Sequence, residues 1–153
     1  MEYKKQRDKQ IIFHSFRYQI LPTTQTIQLR FDSPIKNLEE LKKKKNEFFA
    51  EALSGMKRLS YSRTELNHKV TKIDKDCYLI KLAAKRSLKR STKDFKEEEI
   101  ENWPATSIVI NNNPDVQKML IQFNRKTFSD TTNIADILQD SINEALKEYQ
   151  LHV

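Results

Sequence analysis

The chain has 153 residues, enough for one domain with a real core, of which 37% are hydrophobic and 32% charged. No apolar run approaches the roughly 18–20 residues that cross a bilayer, and the charged start, MEYKKQRDKQ, has neither the apolar core nor the cleavage site of a signal peptide. One cysteine, Cys77, excludes an internal disulfide, and one glycine, Gly55, excludes a Gly-rich phosphate loop or dinucleotide fingerprint, which need several glycines for close backbone approach.

In chain order, residues 1–10 read as a polar arm. Residues 11–21, IIFHSFRYQIL, alternate Phe16, Tyr18 and Ile20 with Arg17 and Gln19, a strand pattern. Pro22 breaks it, and TIQLRF alternates again at Ile27, Leu29 and Phe31, so a two-strand hairpin is expected. Residues 37–54 predict a helix: Asn37 as cap, Glu40 three residues on, and Leu38, Leu41, Phe48, Phe49, Ala52 and Leu53 on one face, with the stem of Lys45 filling the gap. Gly55 follows, where a left-handed terminating residue is expected.

Residues 56–67 are irregular and polar. HKVTKID and CYLIKLAAK predict two strands joined at Asp74-Lys75-Asp76. Residues 87–104 predict a charged connection with a short helix around residues 95–100, ending before Pro104. SIVINNNPDVQKMLIQF admits two readings. Asn113 and Pro114 could open a helix with Val116, Met119, Leu120 and Phe123 on one face. Alternation at Met119, Ile121 and Phe123 favours a hairpin of residues 106–111 against 116–125. A helix over residues 132–149 follows, with Thr131 or Thr132 as cap and a stripe from Ile134 to Tyr149. Leu151, His152 and Val153 look like the start of another strand. The expected fold is a single α+β domain, residues 1–153: an antiparallel sheet of about five to six strands with both helices on one face. It is expected to be the N-terminal part of a longer, cytoplasmic protein.

Candidate chemistry is sparse. His14, His68 and His152 lie on separate elements with no paired metal-ligand spacing, and Cys77 opens an apolar strand as a small buried thiol would. No metal and no cofactor are expected. Pro114-Asp115 resembles the proline-aspartate start of the restriction-endonuclease family, which implies a metal-dependent nuclease. The acidic-x-lysine triplet that family needs does not follow; Glu40-Leu41-Lys42 lies upstream, on a helix.

Charge carries more. Residues 1–60 hold 13 Lys/Arg against 7 Asp/Glu, residues 61–93 hold 10 against 3, and residues 94–153 hold 5 against 11. The basic clusters are Lys81, Lys85, Arg86, Lys89, Arg90 and Lys93, and the lysine run that includes Lys42 and Lys43. Clustered Lys/Arg suffices for phosphate contacts, so backbone-level, salt-sensitive nucleic-acid binding by a non-enzymatic module is the first expectation. The alternative is a protein-interaction or homodimerisation module using the acidic ridge Asp136, Asp140, Glu144 and Glu148, or a sheet edge. The Lys, Asn and Ile usage resembles that of bacterial mobile-element or phage-conflict proteins. No membrane partner is expected.

Overall fold

The computed structural model describes residues 10–23 and 37–153. In chain order these form β1 (Phe13–Arg17), β2 (Leu21–Pro22), α1 (Leu38–Ser54), β3 (Leu66–Lys72), β4 (Cys77–Ala84), β5 (Arg86–Ser91), β6 (Glu97–Asn102), β7 (Ala105–Asn111), β8 (Lys118–Gln122), α2 (Thr131–Leu146), a 3-10 turn (Lys147–Tyr149) and β9 (Leu151–His152). The TIQLRF strand and residues 1–9 of the polar arm lie outside the described residues.

The architecture is α+β, as expected. Five antiparallel strands run in the order β1-β8-β7-β4-β3, and both helices cover one face. Strand periodicity explains the choice of face. Tyr78, Ile80, Leu82 and Ala84 on β4 are buried, as are Ile108 and Ile110 on β7 and Met119 and Ile121 on β8. Their alternates Leu79, Lys81, Ser107, Val109 and Leu120 are half-buried or exposed. On α1, Leu41, Phe48, Phe49, Ala52 and Leu53 are buried; on α2, Ile134, Ile137, Leu138, Ile142 and Leu146 are. Tyr18 stacks on Phe49 with ring centroids 4.8 Å apart, and Phe48 stacks on Tyr149 at 4.3 Å, which ties α1 to the chain segments either side of the sheet.

β1 pairs with β8, Phe13 opposite Gln122 and Arg17 opposite Lys118; the second strand of the hairpin expected of it lies outside the described residues. Three local expectations need correction. Gly55 ends α1 with φ −91°, so the left-handed conformation expected of it is not used; its N–H donates to the Glu51 carbonyl at 2.8 Å. Asp130 caps α2, its carboxylate accepting from the Thr132 N–H at 2.9 Å, while the hydroxyl of Thr131 turns inward to His14 Nδ1 at 2.7 Å. The helix expected around residues 95–100 is a strand. β5 and β6 form a hairpin in which Lys89 faces Glu99 and Arg90 faces Glu98, and Leu88 faces Ile100.

That hairpin continues β4 and β7 without a change of register. Ala83 faces Ala105, and beyond the break Arg86 faces Asn102. The break falls at Pro104, which has no N–H to give the ladder; its carbonyl still accepts from the Ala84 N–H at 3.1 Å. One long hairpin therefore supplies the sheet centre and then projects beyond the sheet as a two-stranded arm.

The Asn111–Asp115 stretch is a turn, as favoured. Asn113 Oδ1 accepts from the Asp115 N–H at 2.9 Å, an Asx turn, and Gln117 absorbs φ +40°.

Candidate nucleic-acid interface

The structure separates the basic residues that lie together in sequence. On the arm, Lys89 pairs with Glu97 at 3.7 Å and Arg90 with Glu98 at 3.5 Å. Lys85 is held between Glu65 at 3.3 Å and Glu101 at 3.7 Å, and these raise its pKa above the ordinary lysine value, the Glu65 hydrogen bond foremost. Arg86 donates to the Thr127 carbonyl and lies over the Phe128 ring at 5.5 Å. Lys93 is exposed in the turn at the arm's tip. Residues 86–102 carry five Lys/Arg and five Asp/Glu, so the arm is neutral overall. On α1, Lys42 reaches Glu39 at 3.6 Å, and Lys43 is exposed.

Lys81 stands apart. It projects from the sheet face opposite the helices and donates to Ser107 Oγ at 2.6 Å. The register sets Lys69 of β3 directly opposite it. On the same face at the other side of the sheet, Arg17 of β1 lies directly opposite Lys118 of β8. Both are like-charge cross-strand pairs, an arrangement that costs stability. The strands contribute no Asp or Glu to this face; its other residues include Ser15, Asn67, Thr71, Leu79, Val109 and Leu120. From strand spacing and rise, the two pairs lie roughly 13 Å apart along the strands and roughly 10–19 Å across them. Between them runs the row Leu120, Val109 and Leu79.

Lys69, Lys118 and Arg17 were missed as a group because they are far apart in sequence. The available signal was in the β3–β4 turn: a hairpin closed at Asp74-Lys75-Asp76 puts Lys69 against Lys81. The neutral arm had a signal too, in the match of LKR to EEEI across a short turn.

The other candidate chemistry does not converge. His68 Nε2 lies 2.9 Å from the Met56 carbonyl, and His14 is engaged with Thr131. Among the described residues no three His, Cys, Asp or Glu side chains come together as a metal site would need, and no helix is long and apolar enough to cross a membrane. Cys77 is half-buried at the start of β4.

No protein-family model matches the chain, and neither a curated protein nor a solved structure does.

Proposed function

We propose that this protein is a binding module that contacts the phosphate backbone of nucleic acid through the open face of its sheet. The observation that carries this reading is the pair of like-charge pairs, Lys69 with Lys81 and Arg17 with Lys118, on a face to which the strands add no carboxylate. A folded chain gains nothing from holding cations opposite each other; a polyanion laid across the face would offset the repulsion. Hydroxyl and amide groups of Ser15, Asn67, Thr71 and Ser107 add donors for phosphate oxygens. Among the described residues of the five strands, Phe13, 46% exposed, is the one aromatic on this face, so these strands offer little for base stacking and the reading is of backbone recognition. The arm cations serve less well, because Lys85, Lys89 and Arg90 already have carboxylate partners.

The test is fluorescence anisotropy with labelled single-stranded and duplex DNA and RNA across a salt series. Four phosphate contacts give a log–log salt slope of roughly three to four on duplex. Lys69→Glu with Lys118→Glu should cut affinity by more than tenfold, an effect of about 1.4 kcal/mol or more. Lys89→Glu with Arg90→Glu should change it far less. Absence of binding at low salt sinks the reading, as does a loss confined to the arm substitutions.

A further inference from the structure

The arm ends in a feature the nucleic-acid reading does not use. Phe95 sits at its tip, 97% exposed, with φ +59°. The turn is closed by the Thr92 N–H donating to the Lys96 carbonyl at 2.8 Å and the Phe95 N–H donating to the Thr92 carbonyl at 3.1 Å. A three-residue hairpin loop of this kind wants glycine or asparagine at its left-handed position. Phenylalanine there strains the backbone and leaves a whole aromatic ring in water. Two costs at one residue, either of which glycine would remove, mark the ring as a contact anchor.

The opposite end of the molecule holds a recess to match. A cavity of about 600 Å³ opens between β1, α2 and the β2–β9 ribbon. Phe16, Phe49, Met119, Leu138 and Ile142 give it an apolar floor, and Asp136 stands in its wall. His152 also lines it, and its Nδ1 is buried with no hydrogen-bond partner among the described residues.

We infer that the Phe95 tip of one copy seats in this cavity of a second copy, joining the chains head to tail. The charges match: Lys93 and Lys96 flank Phe95 and meet Asp136. The contact cannot form within one chain. The arm leaves the sheet past Ala84 and Ala105, whereas the cavity lies at the Ile110, Met119 and Arg17 end. The arm's six-residue strands project it by roughly 20 Å, which carries the ring clear of its own domain. A neutral arm suits a protein surface better than a phosphate backbone, which its four strand glutamates would repel. Because knob and recess are different patches, the contact is heterologous and growth continues past two copies unless a ring closes.

Sedimentation velocity of the full chain tests this over about 10 µM to about 1 mM, the range suited to a small single-anchor contact. The weight-average mass should climb from the 18.2 kDa of one copy without halting at two. Phe95→Asp, at a residue with almost no buried surface, should keep its melting temperature and raise the concentration for half-association by about tenfold or more. Asp136→Lys in the cavity wall should weaken association as well, which separates a seated tip from one that merely sticks. A constant 18.2 kDa for the unaltered chain overturns the inference. So does association that either substitution leaves unchanged.

Discussion

Asn112 shows how much a turn residue can hold. It is buried, and its side chain exchanges hydrogen bonds with Asn46 of α1: its Nδ2 donates to the Asn46 carbonyl at 2.7 Å, and Asn46 Nδ2 donates back to its Oδ1 at 3.0 Å. The Tyr18 hydroxyl donates to the same Oδ1 at 3.1 Å, and burial, with Tyr78 adding to it, pushes the Tyr18 pKa far above the ordinary tyrosine value. Asn112→Ala strands these groups in a dry site and should cost about 2–3 kcal/mol, measured by urea denaturation; a loss below about 0.5 kcal/mol would show that water replaces them. The sequence marked the three asparagines as a turn but could not single out the middle one, because its partners come from α1 and from Tyr18 just past β1, more than 60 residues away. At Asp130, the backbone hydrogen bond from Thr132 holds the carboxyl below its ordinary 3.8. A depressed carboxyl contributes stability above its unfolded pKa and loses it as pH falls through the folded one. Asp130→Asn, which keeps the cap, should therefore melt near the parent at neutral pH yet lose less stability on acidification below about pH 4. Identical acid profiles for the two proteins would contradict this.

Among the elements, those with an unbroken apolar period were legible: α1, α2, and the β3–β4 and β7–β8 hairpins all fall where the pattern placed them. The β5–β6 arm was not, for a physical reason. Its strands bury neither face, so no apolar alternation records them, and glutamates in a row favour helix on propensity alone. What makes them strands is the register inherited from β4 and β7, together with cross-strand pairs of opposite charge. Each exposed ion pair contributes little, and an isolated two-stranded ribbon is marginal in water. Leu88 and Ile100, facing each other, remain 52% and 38% exposed. The arm should therefore open without the sheet. In native-state hydrogen exchange at low denaturant, amides of β5 and β6 should exchange through local opening while those of β4 and β7 exchange only through global unfolding. Equal protection free energies along the whole hairpin would show instead that the arm belongs to the core's cooperative unit.

At the scale of the whole molecule, the open sheet face sets stability against binding. Its cations sit opposite one another with no strand carboxylate beside them, so removing them should help the fold. Lys69→Thr and Lys118→Thr each end one like-charge pair and place a good strand former on the sheet, worth about 0.2–1 kcal/mol apiece. The two pairs lie on separate edges and share no partner, so their effects should add. The double variant should then melt higher than the parent, and its advantage should shrink in high salt, where screening already relieves the repulsion. Its affinity for nucleic acid at low salt should fall at the same time. Lys89→Thr on the arm is the control: it loses the Glu97 pair, so stability should hold or drop slightly while binding barely changes. A surface kept basic only for solubility would show the gain in melting temperature with no loss of affinity. A surface kept basic for packing reasons would show a drop in melting temperature. Only a face that gives up stability for an anionic partner moves the two quantities in opposite directions.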